Sequence, residues 1–152
     1  MKRLIVLIVA TISFAANVYG QLPYRQYSEF KGDKGAYLKY NLEDRGINFK
    51  DKTLGELFSS IEITPVGYES YVAESNYDNQ TYMTRIVIFF SRYYSNDFSP
   101  LHDYYFTIWW QTPFLFDAVQ TIEKQYPPEK WVIQHFNFFK DKKIEMLKYK
   151  VM

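Results

Sequence analysis

Two histidines and a scatter of carboxylates are the side chains here that suit acid–base or metal chemistry. His102 stands beside Asp103, a neighbour able to orient an imidazole for proton transfer. Adjacent residues in a polar loop are solvated just as readily, so the pair does not define a catalyst. His135 is far from His102 in sequence, and the two lack the i, i+2 or i, i+4 spacing of a local metal pair. No metal site is expected from them. The carboxylates fall into three sets: Glu43-Asp44, Asp97 with Asp103, and Asp117 with Glu123. A glycosidase holds two carboxyls roughly 5–9 Å apart across a sugar. Asp97 and Asp103 flank one loop and are the best acid pair, whereas Asp117 and Glu123 read as the polar side of a helix. The chain has no G-x-S-x-G, H-E-x-x-H, P-loop or G-x-G-x-x-G sequence, which removes the commonest hydrolase, zinc-protease and nucleotide-enzyme patterns. No catalytic residue and no cofactor is assigned.

The stronger signal is aromatic. Phe, Tyr and Trp make up 20% of the chain, and most of them must form a core. Period-two alternation separates two faces on the central strands. Ile86, Ile88 and Phe90 share one face with Phe106, Ile108 and Trp110. Arg85, Val87 and Phe89 share the other with Tyr105, Thr107 and Trp109. The second face is less suited to a dry core because Thr107 and Gln111 interrupt it. If helices cover only the first face, Trp109, Tyr105, Arg85 and Phe89 form an outward binding surface, with Tyr105 and Trp109 roughly 13 Å apart at about 3.3 Å per residue. Flat aromatic rings with polar neighbours suit sugar stacking or a protein contact.

A second candidate surface lies at the C-terminus, where Lys140, Lys142, Lys143, Lys148 and Lys150 outnumber Asp141 and Glu145. It fits either an anion-binding patch or a lysine-guarded edge strand. Overall, 18 Lys and Arg balance 17 Asp and Glu, so no general attraction to nucleic acid is expected. Cysteine is absent, which excludes disulfides, thiolate zinc sites and a cysteine nucleophile. Asn79-Gln80-Thr81 is an N-glycosylation tripeptide in a turn-like segment.

The first twenty residues read as a secretory signal peptide. Met1-Lys2-Arg3 is basic, Leu4 to Ala16 is apolar apart from Thr11 and Ser13, and Val18-Tyr19-Gly20 precedes a cleavage point near Gly20/Gln21. The apolar run is shorter than the roughly 20 residues of a membrane-spanning helix. These features predict an exported protein, periplasmic or extracellular, with no transmembrane segment in the mature chain.

The elements that must position the candidate residues follow from period and capping. Residues 21–31 read as an extended lead-in, and residues 32–152 as a single domain. Lys34 to Arg45 fits either a strand, in which Ala36, Leu38, Tyr40 and Leu42 alternate, or a helix, which an Asp33 N-cap and a Gly46 C′ residue favour. In the next helix Leu54, Leu57, Phe58 and Ile61 form one stripe, and Thr53-x-x-Glu56 is a capping box before it. Strands are expected from Val66, over Met83 to Ser91 and over Tyr104 to Gln111. Thr112-Pro113 opens a third helix whose stripe is Leu115, Ala118, Val119, Ile122 and Tyr126. Trp131 to Phe136 and Ile144 to Tyr149 read as two closing strands. The expected fold is α+β: one two-layer domain with a mainly antiparallel sheet of about five strands and two or three helices on one face. The expected function is a non-enzymatic binding module. Its partner would be a glycan, a protein of the cell envelope or outside the cell, or its own copy. The second reading is a small secreted hydrolase using scattered carboxylates.

Overall fold

The computed structural model describes residues 22–74, 78–91 and 104–151. The expected signal peptide, Asn76, Asp97, His102 and Asp103 lie outside these residues. No helix among the described residues is long and apolar enough to cross a membrane.

The lead-in is not wholly extended. Tyr27–Phe30 forms a 3-10 turn, closed by Lys31 at φ 53°. Helix α1, Lys34–Leu38, starts where its cap predicts: the Ala36 N–H donates to Asp33 Oδ1 at 2.9 Å. The helix then widens into a π-helical segment, Lys39–Asp44. Its end corrects the expectation for Gly46, which opens a 3-10 turn, Gly46–Phe49, instead of adopting a left-handed C′ conformation. The wider winding makes that residue unnecessary. The Arg45 N–H reaches back to the Tyr40 carbonyl, and the Arg45 side chain donates to Asn41 Oδ1 and the Leu22 carbonyl. Helix α2, Leu54–Ser59, has the complete capping box: Glu56 N–H donates to Thr53 Oγ1 at 3.2 Å and Thr53 N–H to Glu56 Oε2 at 2.7 Å.

Among the described residues the sheet has four strands, not five. β1 (Gly67–Glu74), β2 (Thr81–Phe89), β3 (Tyr104–Leu115) and β4 (Ile144–Val151) lie in that order, with every neighbouring pair antiparallel. The segment expected as a fifth strand begins like one. Trp131 N–H donates to the Val66 carbonyl and Tyr68 N–H to the Pro128 carbonyl, so this strap bonds the outer edge of β1. The chain then turns into helix α4, Ile133–Phe139. Val132, His135, Phe136 and Phe139 sit at i, i+3, i+4 and i+7, and both His135 and Phe139 are fully buried. The aromatic and β-branched content of Trp131–Phe136 suggested a strand, but burial follows the helical period.

Helix α3, Phe116–Gln125, starts later than Thr112-Pro113 suggests, and its N-cap Leu115 provides no side-chain cap. The strand keeps these residues because Phe114 and Leu115 pair with Met83 and Tyr82. The irregularity between Met83 and Arg85 absorbs the additional residues of β3, and the one between Trp109 and Trp110 absorbs one additional residue of β4.

The two sheet faces divide as the alternation requires. Ile86, Ile88, Phe90, Phe106 and Ile108 are fully buried and Trp110 nearly so. They meet Tyr37, Leu38 and Leu42 from the first helical segment, Leu54 and Leu57 from α2, Val119 from α3 and Phe139 from α4. Phe90 stacks on Phe106 at 5.2 Å, and Trp110 lies nearly parallel to Phe139 at 5.9 Å. Each such ring contributes roughly 1.5–3 kcal/mol by leaving water. A cysteine-free domain is thus held by packed aromatic side chains.

Candidate functional site: the outer face of the sheet

Directly paired residues of antiparallel strands project to the same side. Register therefore builds the outer face row by row. Tyr71, Arg85, Trp109 and Met146 are aligned across β1 to β4. The next row is Glu69, Val87, Thr107 and Lys148, and the third is Gly67, Phe89, Tyr105 and Lys150. The structure thus brings all four candidate residues onto one face. Trp109, Tyr105 and Arg85 are half-buried there. Phe89 is only 6% exposed and packs beside Tyr105, so it supports the surface rather than presenting one.

The first row alternates ring, cation and ring over Tyr71, Arg85 and Trp109, and Lys148 of the second row flanks the last ring. The Arg85 guanidinium lies 4.4 Å from the Tyr71 ring centre and 5.9 Å from that of Trp109. The Lys148 ammonium lies 5.8 Å from the Trp109 ring centre. Tyr71 donates its hydroxyl to Glu69 Oε2 at 3.0 Å. Each cation–ring contact contributes about 0.5–1 kcal/mol at an exposed site. Together they hold a flexible arginine and a flexible lysine in fixed positions. Among the described residues, none of Arg85, Lys148 and Lys150 forms an ion pair with a carboxylate. Their charges therefore remain available to an incoming anion.

Lys148 and Lys150 were legible only as an edge guard or an anion-binding patch of their own. In β4 the burial alternates: Leu147 and Tyr149 face the core, while Met146, Lys148 and Lys150 are exposed. The same period brings the lysine-rich terminus and the aromatic face into one surface. Tyr71 joins it through the β1–β2 register, which strand periodicity alone did not provide.

Among the described residues, His135, Asp117 and Glu123 serve separate parts of the fold. His135 is buried: Val132 N–H donates to its Nδ1, which leaves the proton on Nε2, and Nε2 donates to the Tyr126 carbonyl at 2.8 Å. Both ring nitrogens thus tie α4 to the segment before it. Asp117 is exposed on α3, while Glu123 turns toward β1 and accepts from Ser70 Oγ at 2.6 Å. Six residues of helix place these two carboxylates about 120° apart around the axis. The described residues hold no group of three side chains able to bind a metal ion.

Comparison with protein-family models, with curated proteins and with solved structures finds no match to this chain.

Proposed function

We propose that this is an exported binding module, without catalytic activity, that holds an anionic glycan on the outer face of its sheet. Export rests on the basic, apolar and small-residue plan of residues 1–20. The binding reading rests on one arrangement: Arg85 and Lys148 flank the Trp109 ring at 5.9 and 5.8 Å on the face opposite the helices. A tryptophan ring offers a flat surface for the C–H face of a sugar, and the flanking cations offer N–H donors to a carboxylate, sulfate or phosphate on it. Two rows further along the ladder, Tyr105 and Lys150 are register partners and add a second ring and a second lysine to the same face. An envelope protein with an acidic patch is the other partner class that this charge pattern fits.

A glycan array probed with the purified protein at low and high salt tests the reading. Acidic glycans should be retained, neutral ones lost, and retention should fall as salt rises. Trp109→Ala should weaken binding by about 2 kcal/mol or more without unfolding the domain. Retention of neutral and acidic glycans alike, or full affinity in the Trp109→Ala variant, would overturn it.

A further inference from the structure

A cleft of about 980 Å³ opens beside β1, between that strand, α3 and the strap that precedes α4. Its volume is that of a small-molecule site. The lining is aromatic and acidic. Phe116 and Trp131 supply apolar wall, while Glu69, Glu123 and Glu129 supply three carboxylates against the single ammonium of Lys130. None of these carboxylates forms an ion pair among the described residues. Glu123 is held toward β1 by the Ser70 hydroxyl.

A second observation is independent of this charge. Tyr68 lines the same cleft, is only 2% exposed, and its hydroxyl has no hydrogen-bond partner among the described residues. A buried polar group left unpaired costs about 1–3 kcal/mol. The oxygen lies near the Glu123 carboxylate but outside hydrogen-bond geometry. Burial first, and then the negative charge of Glu123 and Glu129, holds its proton on far above the usual phenol range. The group therefore stays a neutral phenol beside the Glu123 side chain.

We propose that this cleft binds a small organic cation: an ammonium group carried on an aromatic or apolar body. The ammonium N–H groups donate to the Glu123 carboxylate, and a shift of that side chain toward the ligand uncovers Tyr68 Oη as a second acceptor. The body lies against Trp131 and Phe116, and the aromatic lining favours the cation further. The cleft is opposite in sign to the Arg85–Trp109–Lys148 surface, and although Glu69, Tyr71 and Phe89 border both, amine binding and acidic-glycan binding are read by different ligands.

The probe is 2-phenylethylammonium, with phenylacetate and 2-phenylethanol as the anionic and neutral controls of the same body. Titration followed by amide chemical shifts should show saturable changes at Ser70 and Trp131 with the amine only. Glu123→Gln keeps an acceptor for Ser70 and should still fold, yet weaken the amine about tenfold or more, since a hydrogen bond to a charged group contributes roughly 1.5–3 kcal/mol. Tyr68→Phe removes only the orphaned oxygen and should weaken it by a smaller factor while leaving the melting temperature level or higher. No saturation at about 10 mM amine, which corresponds to less than roughly 3 kcal/mol, would overturn the proposal. So would equal binding of phenylacetate, or unchanged affinity in a folded Glu123→Gln variant.

Discussion

The Arg85 guanidinium rests over the ring of Tyr71, its register partner on β1, with 4.4 Å between the charge and the ring centre. The contact lies beside the irregularity between Tyr71 and Val72, where the edge strand departs from regular pairing. On its other side Arg85 faces Trp109 at 5.9 Å. One side chain thus links β1 to β3 across the strand between them, and it does so on the face without a helix to hold it.

That relationship makes Arg85 a test of how the outer face is organised. Arg85→Ala should destabilise the domain by about 1–2 kcal/mol, the sum of two exposed cation–ring contacts. Arg85→Lys should recover only part of this, because an ammonium has no plane to lay along a ring. Urea melts of the three proteins measure it, and equal stability of all three would show that the rings are held by packing alone.

Trp110 gives a contrast between volume and polarity. Its ring is 4% exposed and stacks on Phe139, yet Nε1 has no acceptor among the described residues. Trp110→Phe keeps most of the ring and removes the buried, unpaired donor. The two effects oppose each other, and the net change should stay within about 1 kcal/mol. Trp110→Ala should cost about 3–5 kcal/mol from the cavity it leaves. If Trp110→Phe costs as much as Trp110→Ala, then packing of the second ring matters more than the orphaned N–H.

Two glycines separate contacts that yield from contacts that do not. A Cβ on Gly67 would stand 2.8 Å from the Pro128 carbonyl oxygen and 3.1 Å from the Glu129 backbone. The same carbonyl accepts from Tyr68, so the strap must move and that bond with it. Gly67→Ala should therefore destabilise by about 1–3 kcal/mol. A Cβ on Gly35 would stand 2.6 Å from the Tyr104 ring, which is the far end of a side chain. Gly35 is also helical, and alanine is about 1 kcal/mol more favourable there. Gly35→Ala should be the milder change in thermal melts. The reverse order would mean that Tyr104 is more firmly held than the strap.

The parts of the fold legible in the sequence are those with a local physical cause. Thr53 and Glu56 announce their helix because a capping box uses four consecutive residues. Ile86, Ile88, Phe106 and Ile108 announce the core face because a strand has period two. Trp131–Phe136 was misread because its composition favours a strand, while the tertiary burial of His135 and Phe139 selects a helix. Thr112-Pro113 has the chemistry of a helix start, but Phe114 and Leu115 gain more from pairing with Met83 and Tyr82. The outer face was half legible. Trp109, Tyr105 and Arg85 follow from alternation within each strand, whereas the approach of Lys148 to Trp109 needs the β3–β4 register, and register is a long-range fact. The acidic cleft was not legible, because the sequence separation of Tyr68, Glu123 and Trp131 hides their meeting.

The α2 capping box has a pH dependence whose sign follows from its geometry. The Thr53 N–H, and then the Lys52 ammonium, hold the Glu56 carboxyl below its ordinary value of 4.5. A carboxyl lowered in the folded state adds stability above its unfolded value, and this is lost as pH falls through the folded one. Glu56→Gln keeps a carbonyl oxygen for the Thr53 N–H and removes only the charge. At neutral pH the natural protein should be the more stable of the two. As pH falls below about 4.5 the Glu56 carboxyl takes up a proton and comes to resemble the amide, so the gap should close. Thr53→Ala removes the hydroxyl that serves the Glu56 N–H and should cost about 1 kcal/mol through that lost hydrogen bond. Urea melts at a series of pH values compare the three. A gap between the natural protein and Glu56→Gln that stays constant down to pH values well below 4.5 would show that the carboxylate charge adds nothing to the cap.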